Sequence, residues 1–268
     1  MTSGYAEVNG ARLYYEVAGA GHPLVLIHAA IADSRMWNGQ FGEFAKRYRV
    51  VRYDQRGFGK SAMVAGQYSD REDLLGLLDF MGMDKAYLLG CSMGGSAALD
   101  LTLEHPPMVD ALIMVASAFR GFKFTGNPTP LEDELVATFK ASNIAESAEL
   151  EARIFLDGRD RTPDQVDPAV RALLIAMDTI ALGNEKRRDE YTLPSPEPPT
   201  ATRLGEIHIP LLYIYGDRDE PLFAGVAEKL TQEVPGTQVA MMPDTAHLPN
   251  MEQPEEFNRI VLDFLARV

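Results

Sequence analysis

Cysteine is almost missing from this chain: Cys91 is the only one in 268 residues. An internal disulfide is therefore excluded, and the composition fits a reducing compartment. Positive charge is also scarce, with 25 Lys and Arg against 39 Asp and Glu, a net charge of −14. Such a field repels polyanions, so neither nucleic acid nor an anionic membrane surface is expected as a partner. Long apolar runs are missing too. Those near Leu24–Ile27 and Ala111–Ala118 fall far short of a membrane span. The start, Met1-Thr2-Ser3-Gly4-Tyr5, has neither the basic nor the apolar part of a signal peptide. No His-Glu-x-x-His cluster and no Gly-rich phosphate loop occurs, so no metal and no cofactor is implied. These absences make a cytoplasmic enzyme the expected reading.

What is present is enough apolar sequence, 46% of residues, to bury a large core in one compact unit. Tyr5–Val8 and Arg12–Val17 flank Asn9-Gly10, a strong two-residue hairpin signal. Leu24–Ile27 reads as a strand buried on both faces, and Tyr48–Tyr53 as another. Leu74, Leu75, Leu77, Leu78 and Met81 follow a helical period. Strand Ala86–Leu89, a helix from Met93 to Glu104 and strand Ala111–Val115 come next. This alternation predicts an α/β fold with a mainly parallel, doubly wound sheet.

After Phe119 the texture changes. Residues 120–203 are helical in pattern with no convincing core strand, and they end in the proline-rich run Leu193–Pro199. The expected organisation is a core in two parts, 1–119 and 204–268, with a helical insertion at 120–203 after the sixth strand. Strand Leu211–Tyr215, a helix near Leu222–Thr231 and strand Gln238–Met242 resume the alternation. A last helix carries Phe257, Ile260, Val261, Phe264 and Leu265 on one face.

The strand Ala86–Leu89 runs into Gly90-Cys91-Ser92-Met93-Gly94 and then into a helix, the setting in which Gly-x-Ser-x-Gly holds a nucleophile. A strained turn there demands small neighbours, and Gly95, Ser96, Ala97 and Ala98 supply them. The helix N-terminus behind Ser92 offers N–H groups where an oxyanion would form. Cys91, one residue before the serine, should point away from the active face as a small buried residue. A neutral serine also needs a base oriented by a carboxylate. The chain order that accompanies such a turn is serine, acid, histidine. His22 and His208 sit at strand entries, His105 at a helix end and His28 at a strand end. Only His247 falls in a loop between the last strand and the last helix. Upstream, Gly216-Asp217-Arg218-Asp219-Glu220 offers Asp217, Asp219 and Glu220, and spacing does not choose between them.

With these runs in hand, the sequence resembles the α/β-hydrolase family. The resemblance rests on Leu26-Ile27-His28-Ala29-Ala30, Tyr53–Ser61, the serine turn, Gly216–Asp219 and Ala246-His247. It implies Ser92, Asp219 and His247 as the catalytic triad, and the backbone N–H groups of Ala30 and Met93 as oxyanion donors. His28 would brace the oxyanion loop. Ala29 stands where the family has glycine, which removes freedom to adopt positive φ. Asp33–Trp37 and neighbouring runs are similar to bacterial 3-oxoadipate enol-lactonases and to related esterases and haloperoxidase-like enzymes. By the same resemblance the insertion is a cap over the active site, with Trp37, Phe119, Phe122 and Phe124 as pocket-lining candidates. The expected activity is hydrolysis of a small carboxylic ester or lactone through an acyl-enzyme. The alternatives are carbon–carbon bond hydrolysis on the same triad and a non-enzymatic small-ligand receptor.

Overall fold

Asn9 and Gly10 both take positive φ, 45° and 76°, which lets strands β1 (Thr2–Val8) and β2 (Ala11–Ala18) fold back on each other. The structure is a computed structural model describing residues 1–123, 129–193 and 197–268, with the side chain of Asp189 left aside. Six further strands follow: β3 (Pro23–Ile27), β4 (Arg49–Tyr53), β5 (Ala86–Cys91), β6 (Val109–Val115), β7 (Leu211–Gly216) and β8 (Gln238–Met242). They form one sheet in the order β1-β2-β4-β3-β5-β6-β7-β8. Only the β1–β2 and β2–β4 pairs are antiparallel.

The central strands bury both faces, as their unbroken apolar runs require. Leu24 and Leu26 face α1 (Asn38–Phe44) and α9 (Pro254–Leu265), where Phe41, Phe44, Phe257, Val261 and Phe264 complete the layer. Val25 and Ile27 face the opposite layer, built by Leu74 and Leu77 of α2 (Asp70–Phe80), Leu99 of α3 (Met93–Glu104), and Val226 and Leu230 of α7 (Pro221–Glu233). Each fully buried aliphatic side chain contributes roughly 1.5–3 kcal/mol. Among the described residues between β6 and β7 there is no strand. The chain there builds α4 (Pro130–Lys140), α5 (Ile144–Ala152), a single π-turn (Arg153–Asp157) and the long α6 (Pro168–Tyr191). Leu156, Leu174 and Met177 from this span join the core on the α1 and α9 side. A short helix, α8 (Pro249–Glu252), precedes α9. No helix of the described residues is long and apolar enough to cross a membrane.

Candidate active site

Ser92 occupies the single residue between β5 and α3, at φ 51° and ψ −117°. A non-glycine residue in this region stores on the order of 1–3 kcal/mol and persists only when its surroundings hold it. They do so here. The Ser92 N–H donates to Val115 O at 2.8 Å, while the Ser92 carbonyl accepts from Gly95 N, Ser96 N and the Ser117 hydroxyl, the last at 2.7 Å. The turn also needs glycine for close approach. A Cβ on Gly94 would lie 2.5 Å from Ile27 O, and one on Gly90 would lie 2.3 Å from Gly94 O. The end of β3 is thereby pressed against the start of α3.

Asp219 stands in the loop after β7 and His247 in the loop after β8. The His247 Nδ1–H donates to Asp219 Oδ2 at 2.8 Å, and both side chains are almost fully buried. The other carboxylate oxygen accepts from Glu220 N at 2.8 Å, so the acid is fixed at both ends. This pairing leaves His247 Nε2 as the basic nitrogen. The rings of Phe155 and Phe223 flank the imidazole at 5.1 and 5.0 Å. His247 N donates to Phe155 O at 3.0 Å, and the Cys91 thiol reaches His247 O at 3.7 Å. Cys91 is fully buried, and burial holds its thiol far above the ordinary range, so it is an inert packing residue. Of the acids that spacing left open, Asp217 instead accepts from Asp244 N at 2.7 Å, and Glu220 is the cap residue of α7.

The loop after β3 is built around a histidine with one defined tautomer. His28 is fully buried, its Nε2 accepts from Gln55 N at 2.9 Å, and its Nδ1–H therefore donates to Ala29 O at 2.8 Å. Burial, outweighing the nearby carboxylates, lowers its pKa and keeps it neutral. Gln55 Nε2 returns a bond to His28 O at 2.8 Å, and Asp54 accepts from Ser34 N and Lys60 N. Ala29 is not among the residues with positive φ. The loop therefore takes alanine without strain, and the loss of glycine's freedom has no consequence here. Among the described residues no acceptor pairs with the Ala30 amide, and Met93, as the first residue of α3, has no intrahelical acceptor.

The aromatic pocket candidates need correction. Trp37 is 0% exposed and packs 6.2 Å from Phe257 in the core, so no space open to even a water molecule adjoins it. Phe119 is also buried, edge-on to Phe122 at 5.6 Å in the layer on the α2 and α3 side. Phe122 is half-buried with Gly225 of α7 beneath it, and Phe124 lies outside the described residues. The resemblance offered them as pocket residues, but Trp37, in the turn Ser34–Trp37, packs into the layer of α1 and α9, and Phe119, beyond β6, packs into the opposite layer.

Several residues around the site were not singled out by sequence. Arg188, near the end of α6, reaches across to Met93. Arg161 and Glu252 pair beneath the histidine loop. Glu151 and Asp178 face one another between α5 and α6, where burial and then mutual repulsion push Asp178 up to about 10. No periodicity or local motif marks any of them. Among the described residues no group of three or more His, Cys, Asp or Glu is placed to hold a metal ion.

Known proteins are similar to this chain. The Alpha/beta hydrolase family matches residues 24–260. A 2-hydroxy-6-oxo-6-phenylhexa-2,4-dienoate hydrolase of Burkholderia cepacia is 29% identical over 95% of this chain and 91% of its own length. A 2-hydroxy-6-oxononadienedioate/2-hydroxy-6-oxononatrienedioate hydrolase of Klebsiella pneumoniae is 32% identical, over 82% of this chain and 77% of its own. The solved enol-lactonase of Burkholderia xenovorans superposes with a TM-score of 0.81 at 25% identity, covering 98% of this chain and all of that one. The chain belongs to the α/β-hydrolase family of enzymes.

Proposed function

We propose that this chain is a serine hydrolase that cleaves a small carboxylic ester or lactone through an acyl-enzyme. The observation that carries the reading is the buried 2.8 Å pair of His247 and Asp219, whose backbone is tied to the residue before Ser92 through the Cys91 contact. Ser92 Oγ attacks the carbonyl carbon while His247 Nε2 takes its proton, and Asp219 holds the imidazole and stabilises its charged form. The Ala30 and Met93 amides receive the oxyanion, a contribution worth roughly 10²–10³ in rate for one such donor. His247 then protonates the leaving oxygen, and water activated by the same nitrogen releases the acid. The helical span 120–203 acts as the cap that shapes the acyl and leaving-group spaces.

A second reading, carbon–carbon bond hydrolysis on the same triad, is favoured by the names of the Burkholderia cepacia and Klebsiella pneumoniae relatives. Labelling with a fluorophosphonate, mapped by peptide mass spectrometry, tests the shared nucleophile. The label is expected on Ser92, and an unlabelled Ser92 in folded protein overturns both readings. Turnover of short-acyl p-nitrophenyl esters, lost in Ser92→Ala, supports the ester reading. A labelled enzyme that hydrolyses no ester or lactone but cleaves a vinylogous diketone supports the second. Asp219→Asn is expected to lower kcat by about 10⁴-fold, as removal of the orienting acid does elsewhere. Asp217→Asn, off the triad, should leave it nearly unchanged.

A further inference from the structure

The helical span holds a cleft of its own. Phe139 of α4, Ile144 and Ser147 of α5, and Leu182, Gly183 and Lys186 of α6 enclose about 120 Å³. None of Ser92, Asp219 and His247 lines it. On α6, Asn184 donates to Gly57 O at 2.8 Å and the Arg188 guanidinium lies over the Phe58 ring, so that face of the helix meets the core. Leu182 and Lys186 each stand two positions before one of these, about 200° away around the axis. The cleft therefore opens on the other side of α6 from the nucleophile turn.

Ser147 is the side chain that points to a ligand. It is 1% exposed, and its hydroxyl has no hydrogen-bond partner among the described residues. A hydroxyl inside a helix ordinarily bonds to the carbonyl four residues earlier, as Thr102, Thr138, Thr179 and Thr231 do here. Ser147 does not: Asn143 O accepts its amide at 2.9 Å and not its hydroxyl. A buried hydroxyl left so is costly, and one lining a cleft can be satisfied by what enters.

The other walls define the chemistry of the guest. Phe139, Ile144 and Leu182 are apolar, while the Lys186 ammonium donates to the Ser142 hydroxyl at 3.0 Å and makes no ion pair among the described residues. Gly183 lies inside α6, where glycine is the poorest helix former after proline. No atom comes within 4 Å of the place a Cβ would take, so packing does not demand it, and its lack of a side chain keeps the cleft open.

We propose that this cleft is a second ligand site that binds the anion of a small monocarboxylic acid with a short apolar tail. The carboxylate accepts from the Ser147 hydroxyl and the Lys186 ammonium together. A space of 120 Å³ is about 6 Å across, which one carboxylate can bridge with ordinary hydrogen bonds on both sides. The tail lies against Phe139, Ile144 and Leu182. A cavity near 150 Å³ admits a molecule of benzene's size, so about four carbons of tail fit beside the head group.

The test titrates pentanoate, with pentan-1-ol as the uncharged control, by saturation-transfer NMR into wild type, Gly183→Leu, Ser147→Ala and Lys186→Gln. Wild type should bind pentanoate saturably in the millimolar range and the alcohol more weakly. Gly183→Leu puts a side chain into the cleft without a clash, so it should melt no lower than wild type yet weaken pentanoate by about 10-fold or more. Ser147→Ala should weaken it by about 10-fold, the value of a hydrogen bond to a charged group. Lys186→Gln, which removes an exposed charge, should weaken it by about 2- to 5-fold and leave the alcohol unaffected. A short acid is also a product of the proposed ester hydrolysis, so each titration is repeated on protein labelled at Ser92 with a fluorophosphonate. Binding that survives the label and falls in Gly183→Leu supports the second site. Binding lost on labelling, equal in wild type and Gly183→Leu, or absent at millimolar pentanoate overturns it. Should Ser92 refuse the label, the serine reading falls, while the Gly183→Leu comparison still decides the cleft.

Discussion

Arg161 and Glu252 form a buried ion pair at 2.6 Å that ties the helical span to the loop carrying His247. Glu252 also accepts from the amide of Ala246, the residue before His247, at 2.7 Å. Arg161 spends its remaining donors on the carbonyls of Leu156, Asp157 and Asp244. The position of His247 therefore depends on the helical span as well as on the sheet.

Arg161→Ala follows directly. It leaves the Glu252 carboxylate buried without its counter-charge, at an expected cost of about 3–5 kcal/mol in unfolding free energy. The histidine loop loses its tether, so ester turnover should fall by about 10²-fold, the typical cost of a displacement near 1 Å. Adding Glu252→Gln removes the orphaned charge, and the double variant should be more stable than Arg161→Ala alone. Urea unfolding of the four proteins measures the coupling. Strict additivity would mean the pair does not act as a unit.

The same carboxylate sets a pH dependence. Burial, opposed by Arg161 and reinforced by the charge of Asp219, pushes Glu252 up to about 7. A group whose pKa is raised on folding favours the folded state fully below its unfolded value near 4.5, and this contribution is lost as pH rises through 7. Stability should therefore fall between those limits by up to about 3 kcal/mol from this residue. Asp70, pushed up to about 6, acts in the same direction lower in the window. In Glu252→Gln the decline between about pH 5 and pH 7, inside that window, should flatten. Denaturant titrations of both proteins across that range read the difference, and parallel slopes would refute it.

The proposed triad was legible because local chemistry marks each of its residues. Ser92 lies in a strand–turn–helix run of small residues, and His247 in the loop between the last strand and the last helices. Choosing Asp219 over Asp217 rested on resemblance until their partners were seen, since both follow the end of β7 and only one reaches the imidazole. The supporting residues carry no such mark. Arg161 and Glu252 meet across 91 positions, and Arg188 and Met93 across 95. Nothing in either neighbourhood foretells the other, because contacts of this range are set by how the helical span packs. Trp37 misled for a related reason. An aromatic beside a functional loop can face substrate or core, and the few residues of Ser34–Trp37 give no period from which to choose.

The strain at Ser92 makes a prediction that the unstrained Ala29 controls. Ser92→Ala and Ser92→Gly should both abolish turnover, since neither offers a nucleophile. Only glycine relieves a backbone held at φ 51° and ψ −117°. That relief is on the order of 1–3 kcal/mol, against a loss of roughly 1 kcal/mol through glycine's greater freedom in the unfolded chain. Ser92→Gly should therefore be as stable as Ser92→Ala or more so, by up to about 2 kcal/mol. At Ala29 there is no positive φ to relieve, so Ala29→Gly should only destabilise, by about 0.4–1 kcal/mol. Thermal unfolding of the three variants gives the comparison. If Ser92→Gly proves less stable than Ser92→Ala by as much as Ala29→Gly is below wild type, the turn stores no strain, and its conformation costs the fold nothing.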